Sequence, residues 1–398
     1  MNARGLIVAA GLILLTVGAA GADWPNFRGP GHDGISAEKG ITTTWTDSLP
    51  LVWSAEIGSA FSSFAAVGDR IYTCGTEDKK QTLLCLNAKT GEIVWRNRFE
   101  TAFNNSYGDG TRATPTVDGG RVYIQGAHGR LLCVDAATGK DVWDKTFKHE
   151  PRWGYSGSVL IEGDMAIASG GKGQGALVAF HKKTGKELWT CGDDPAGYAT
   201  PYPFDFAGKR YIVGFTGNSV IIAEAKTGKL ALRKPWATSY DVNAAAPIFH
   251  DGHLFITSGY KTGCALLKLS ASGDGLAAKE VWRSKVFLNK FQSCILHDGY
   301  LYSSDQKALV CAAFLTGEEK WRVNRSKHGT LVLADGNLLL LTQEGQLQIA
   351  PASPDGFAAT TRADILSGRC WTVSVLHQGR LYARNLERVV CFNLKTGG

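Results

Sequence analysis

The chain has 398 residues, a formal net charge of +7 and nine cysteines, with 44% hydrophobic and 20% charged residues. This balance excludes a disordered chain, and the lack of any Lys/Arg run excludes a surface that tracks a phosphate backbone, so no nucleic-acid partner is expected. Nine is an odd number, so at least one thiol has no intramolecular partner.

Residues 1–22 read as a Sec-type export signal. Arg4 supplies a positive start, Leu6 to Val17 an apolar run, and Ala20-Gly-Ala22 a small-residue cleavage site before Asp23. The run falls short of the ~20 apolar residues of a membrane helix. It contains no cysteine, so no lipid anchor is expected. A periplasmic or secreted location follows, peripheral to a membrane at most. Residues 23–49 form an N-terminal arm that opens Asp23-Trp-Pro-Asn-Phe-Arg-Gly-Pro-Gly.

Residues 50–398 repeat a single segment. Cys85-Leu-Asn-Ala-Lys-Thr-Gly-Glu-Ile-Val-Trp95 is followed by copies at Cys133–Trp143, Ala179–Trp189, Ile222–Leu232 and Cys311–Trp321. A copy over 266–282 carries an insertion at Ser272-Gly-Asp-Gly275, and one near 347–365 has lost both Thr-Gly and Trp. The eighth, from Cys391, ends the chain. The marks at 53, 95, 143, 189, 232, 282 and 321 are 39 to 50 residues apart, a propeller-blade period. Between them run short β-rich stretches such as Arg121-Val-Tyr-Ile124 after Gly119-Gly120, and no amphipathic helix. The fold expected is all-β: an eight-bladed propeller of four-stranded antiparallel blades.

The motif has a physical reading. Asn87 or Asp135 caps a tight turn, and the glycine of Thr-Gly takes the left-handed position that ends it. The Trp four residues later lies on the outer strand and covers the joint with the next blade. Trp53, Trp95, Trp143, Trp189, Trp282 and Trp321 are the docking residues on this reading. The last repeat has three strands, and Leu51-Val-Trp53-Ser-Ala55 carries an orphan Trp, so this N-terminal strand is expected to close the ring and remove its edges.

With these residues in view, the segment Cys133–Trp143 resembles the tryptophan-docking motif of the PQQ-like (quinoprotein-type, BamB-like) propeller family, over essentially the whole chain after residue 22. The resemblance implies the fold and says little of activity. In its quinoprotein dehydrogenases, PQQ sits in a central chamber with Ca²⁺ and a Glu/Asn/Asp set under a disulfide between adjacent cysteines. This sequence has no adjacent cysteine pair and no position matching that set.

Cys85, Cys133, Cys311 and Cys391 share one motif position, which is Ala179 or Ile222 elsewhere, and read as small apolar packing residues. A single Cys74–Cys85 bridge across one hairpin stays open. No Cys/His spacing for zinc and no hydrolase triad is present, so neither a metal nor a catalytic residue is assigned. Gly170–Gly175 imitates a phosphate loop but has no following helix and reads as a hairpin tip.

The innermost strand of each blade is expected about ten residues after each Trp. The loops before those strands converge on one mouth of the axis and hold Phe61, Asn104, Tyr107, Asp109, Arg112, Trp153, Tyr155, Tyr198, Tyr240, Asn243, Lys290 and Gln292. Aromatics interleaved with amides and charges make a binding funnel centred on Trp153 and Tyr155; the other reading is that they plug the axis. The function expected is a monomeric, non-catalytic binding or scaffold propeller of the cell envelope, BamB-like in fold, with an envelope protein or a glycan as partner and no cofactor. The alternatives are a small PQQ-dependent alcohol or sugar dehydrogenase, which would bring PQQ with Ca²⁺, and a carbohydrate-binding propeller.

Overall fold

The computed structural model describes residues 23–45, 48–148, 151–324 and 328–395. Residues 1–22, expected to be an export signal, lie outside them. Eight antiparallel sheets follow one another round an axis. Blade 1 consists of Ala65–Val67, Arg70–Glu77, Lys80–Asn87 and Ile93–Thr101, taken from the axis outward. Blades 2 to 7 span 116–146, 160–191, 202–235, 248–284, 295–324 and 330–364. Blade 8 has three strands of its own, Val375–His377, Arg380–Arg384 and Arg388–Asn393. Its outer strand is Leu51–Glu56, which pairs antiparallel with Arg388–Asn393 and sets Trp53 opposite Cys391. The N-terminal strand closes the ring, as its orphan Trp predicts.

The turn chemistry is also as read. Asn87 Oδ1 accepts the amides of Lys89 (2.8 Å) and Thr90 (3.2 Å), and Asp135 Oδ1 accepts Thr138 N (2.9 Å). The glycine that follows has a second duty the sequence did not disclose. Five of the six docking Trp (all but Trp321, whose neighbouring blade has lost Thr-Gly) lay their rings on the Thr-Gly of the next blade, where a Cβ on Gly91, Gly139, Gly185, Gly228 or Gly317 would stand only 2.5 to 2.8 Å from the indole. The indole nitrogen donates to the same turn: Trp53 to Ala88 O (3.0 Å), Trp95 to Ala136 O (3.0 Å), Trp143 to Lys182 O (2.9 Å). Trp189, Trp282 and Trp321 do likewise with Ala225, Phe314 and Ser353. Shape and hydrogen bond therefore both fix the joint.

Two joints lack the motif's docking Trp and are filled otherwise. Between blades 4 and 5 the inserted hairpin of Gly263–Ser272 and Gly275–Ser284 leans back on Leu230–Pro235, with Lys229 facing Asp274 at 3.5 Å. Between blades 7 and 8 the N-terminal arm intervenes: Thr42 N donates to Leu394 O (2.7 Å), and Ile41 and Leu49 join a core with Leu339, Ile349 and Leu381.

All nine cysteines are buried and unbridged, so the Cys74–Cys85 bridge does not form. Cross-strand register sets Tyr72 opposite Cys85 and leaves Cys74 opposite Leu83. In four blades the motif Cys lies between a Tyr on one neighbouring strand and the docking Trp on the other (Tyr72–Cys85–Trp95, Tyr123–Cys133–Trp143, Tyr302–Cys311–Trp321, Tyr382–Cys391–Trp53). The rings meet at 5.9 to 6.1 Å over the thiol. Burial pushes these thiols up, Cys85 and Cys311 to about 11 and Cys133 and Cys391 to about 12. They are inert packing groups.

The inner strands do not start a uniform ten residues after each Trp. The interval runs from 9 residues (Trp321 to Thr330) to 21 residues (Trp95 to Thr116). The longest loops, before blades 2 and 3, carry Tyr107, Arg112 and Trp153 onto the front face.

Candidate functional site

The two ends of the axis differ. At the back, residues 23–36 cross it. Trp24 pairs with Ala66 of blade 1 through two backbone hydrogen bonds of 2.8 Å, and Pro25 O accepts Val117 N of blade 2 at 2.8 Å. Ile35–Ser36 adds a short parallel strand to Thr330–Ala334 of blade 7. Arg28, only 3% exposed, donates to Cys294 O of blade 6 (2.6 Å) and to His32 O and Asp33 O of its own turn. The arm thus ties at least four inner strands together and closes the channel. Phe27 faces forward as the floor of a cavity that opens at the front.

That cavity has a volume of about 210 Å³. Its wall begins with a belt of hydroxyls two residues before the inner strands. Ser63 N donates to Thr114 Oγ1 (3.1 Å), Thr114 N to Ser158 Oγ (2.9 Å) and Ser158 N to Thr200 Oγ1 (3.0 Å). Each link passes to the next blade, so the belt ties blades 1 to 4 together at the front.

Above the belt, aromatic rings form two arcs. One is Phe61, Trp371, Tyr107 and Phe291, with Trp371 5.9, 6.2 and 4.9 Å from the other three. The other is Tyr198, Trp153, Tyr240 and Tyr260, in successive steps of 6.0, 5.7 and 5.7 Å. Cations bridge the arcs. Lys290 Nζ lies 5.1 Å from the Tyr107 ring and 5.2 Å from the Tyr260 ring. Arg112 lies 5.3 Å from the Phe61 ring and donates to Trp153 O (3.1 Å). These are the distances of cation–π attraction. Arg112 also donates to Gly108 O (2.7 Å) and Gly110 O, so backbone carbonyls hold its guanidinium. Burial lowers its pKa to about 10, with Asp109 as the opposing charge. Burial likewise pushes the Tyr198 phenol up to about 12.

Tyr240 and Tyr260 occupy the left-handed backbone region, at φ 64° and 52°. A bulky residue there is strained by about 1–3 kcal/mol, and such strain gathers at functional sites.

Of the residues predicted from the sequence, Phe61, Tyr107, Arg112, Trp153, Tyr198 and Lys290 line the cavity, and Tyr240 stands at its rim, 55% exposed. The others do not converge there. Tyr155 turns into the core against Phe147 and donates to Gly170 O (2.7 Å), so the funnel is not centred on it. Gly154 reverses the backbone between it and Trp153, and a Cβ on Gly154 would stand 2.9 Å from Ala127. That glycine lets the loop pack on its neighbours, not on a ligand. Asn243 is fully buried and donates to Thr216 O (2.8 Å) and Trp236 O (3.0 Å). Gln292 is buried beside His328, Asn104 is exposed outside the lining, and Asp109 accepts Asn105 N in its own turn. The sequence reading passed over Phe27, Tyr260, Phe291 and Trp371. The last two follow Lys290 and Arg369 in loops before inner strands, and that position was the available signal.

Among the described residues no three His, Cys, Asp or Glu side chains stand together so as to hold a metal ion. Among the described residues the cavity lining includes no carboxylate.

A family profile described as outer membrane protein assembly factor BamB matches residues 42–189 and 79–323. No curated protein matches the chain in sequence. Among solved structures, BamB from Moraxella catarrhalis is 17% identical with a TM-score of 0.64, over 88% of this chain and 99% of that one. Quinohemoprotein alcohol dehydrogenase from Comamonas testosteroni is 13% identical with a TM-score of 0.65, over 94% of this chain and 81% of that one. Quinohemoprotein alcohol dehydrogenase ADHIIG from Pseudomonas putida HK5 is 14% identical with a TM-score of 0.67, over 95% and 81%. At these identities the likeness is one of fold.

Proposed function

The chain belongs to the BamB-like family of PQQ-type β-propellers, and on that premise we propose that it is a non-catalytic, extracytoplasmic scaffold that holds an envelope protein at its front mouth. One observation carries the reading. The arm closes one end of the axis, while the other end presents a ring of aromatic side chains, two of them on strained backbone. Large flat residues around a shallow cavity suit the anchoring of a partner side chain.

The dehydrogenase alternative needs a site for PQQ and Ca²⁺. Calcium takes six to eight oxygen ligands, carboxylates foremost, and the lining of this cavity does not fit that requirement. A glycan-binding propeller would use the same aromatic faces. Retention on a glycan array, with no protein captured, would replace our reading with that one.

The test is paired. Trp153→Ala with Trp371→Ala should leave the fold intact and weaken capture of an envelope partner at least about tenfold. A photo-crosslinker at Tyr240 should join that partner, whereas one at Gly119, in the turn behind blade 2, should not. Equal crosslinking at both positions would overturn the assignment of the front mouth.

A further inference from the structure

Resting on that reading of the mouth, we propose that the axial cavity takes an acidic segment of a protein partner, with an aromatic side chain entering between the two arcs and carboxylates meeting the cations around it. The inference starts from an imbalance of charge. On the flanks of the ring, arginines hold carboxylates: Arg96 with Glu77, Arg130 with Asp141 and Asp144, Arg210 with Glu162, and Arg322 with Glu319. At the mouth four cations form no ion pair among the described residues. Arg112 is bound by carbonyls alone and keeps its full charge against the cavity wall. Lys290 lies between two tyrosine rings, with neither a hydrogen bond nor an ion pair among the described residues. Arg152 rests on Trp153 (5.3 Å) and Tyr240 (5.0 Å), and Arg369 on Trp371 (4.6 Å) while donating to Tyr107 O.

Of the described acids nearby, Asp109 acts on Arg112 only through space, with no ion pair between them. Asp109 is engaged with the amide of Asn105, and Asp241 is exposed at the rim beside Tyr240. Neither lines the cavity.

Two features point to a segment of a protein. The cavity, at about 210 Å³, is smaller than the roughly 300–1,000 Å³ of ordinary small-ligand pockets, and it suits one aromatic side chain. The cations spread from its wall (Arg112, Lys290) to its rim (Arg152, Arg369), so an occupant that meets all four must extend beyond the cavity. Stacking on rings holds the cationic heads in place while leaving their outer donors for carboxylate oxygens, and charge-assisted hydrogen bonds to carboxylates are the strong kind.

The test uses a dye-labelled hexapeptide, Gly-Asp-Phe-Glu-Asp-Gly, and its neutral partner with Asn and Gln in place of the acids. In the whole protein the acidic peptide should bind at least tenfold tighter than the neutral one at low salt. That advantage should shrink severalfold by 0.5 M salt, where charges a few ångströms apart are screened. Lys290→Met with Arg152→Gln should abolish the advantage at unchanged melting temperature.

Equal binding of the two peptides, or no binding of either, would overturn the acidic occupant and leave the mouth as a docking face if Trp371→Ala still weakens partner capture. An acidic preference that survives Lys290→Met with Arg152→Gln would place the peptide elsewhere and overturn it too. Competition by phenylacetate as strong as by the peptide would reassign the cavity to a small carboxylate. Acidic-peptide binding that Trp371→Ala weakens, alongside envelope-protein capture that it does not, would uphold this inference while overturning the docking role of the mouth.

Discussion

At the back of the axis, Trp24, Arg28 and Ile35 each bond or pack to the inner strand of a different blade, and Arg28 spends its donors on buried carbonyls. At the front, Arg112, Lys290, Arg152 and Arg369 lie on aromatic rings, and among the described residues none of them forms an ion pair with a carboxylate. Both ends are rich in Arg and aromatic residues, so composition does not tell them apart. Satisfaction does. A group whose partners are all within the chain contributes to folding, and one that keeps donors and faces open is available to another molecule.

The largest effect that could break this contrast is loss of the back. Removing residues 23–56 deletes both the plug and the strand that closes blade 8, which exposes two sheet edges, and no soluble ring should be recovered. Within the plug, Trp24→Ala should cost about 3–5 kcal/mol by chemical denaturation, as expected for emptying a buried Trp site. If it costs less than about 1 kcal/mol, the arm is an accessory and the ends are more alike than drawn.

Next come Trp153 and Tyr155, two residues apart and facing opposite ways. Tyr155→Phe removes the bond to Gly170 O and should lower stability by about 1 kcal/mol without touching partner capture. Trp153→Ala should do the reverse. Reversal of either outcome would redraw the boundary of the mouth.

The strained tyrosines sharpen the comparison further. Tyr260→Asn keeps the left-handed backbone at lower strain, so stability should rise by a few tenths to about 1 kcal/mol while capture weakens. A gain in stability with unchanged capture would mean that the strain serves no ligand.

The smallest effect lies in the blade walls between the ends. The thiols of Cys74, Cys85, Cys133 and Cys391 are held at about 11 to 12 by burial, against an ordinary value of 9.0. The folded chain therefore keeps protons that the unfolded chain releases. Their contribution to stability is complete below pH 9 and is lost as pH rises from 9 towards 12. Melting temperatures measured between pH 8 and 10.5 should fall. Replacing Cys85, Cys133, Cys311 and Cys391 by Ala should flatten the fall, and an unchanged slope would move its origin to the buried tyrosines and the remaining thiols.

Much of the ring was legible in the residues. The Thr-Gly and Trp spacing marked the blades, the degenerate copy over 347–365 marked blade 7, and the orphan Trp53 identified the closing strand. These features are local: a turn, an alternation and a ring over a glycine are specified within about ten residues, so a linear reading reaches them. The small role of the motif cysteines followed from their alignment with Ala179.

What only the tertiary structure decided is non-local. Nothing in Asp23-Trp-Pro-Asn-Phe-Arg28 repeats, so its crossing of the axis had no periodic signal; the contacts that fix it lie up to 300 residues away, at Cys294 and Leu333. The cavity is likewise a meeting of single residues from separate blades. Which of them turn inward depends on reversals such as Gly154, which sends Trp153 to the mouth and Tyr155 to the core. The blades are legible in the residues because each blade bonds mainly within itself; the plug and the mouth exist only where the closed ring brings distant loops to one axis.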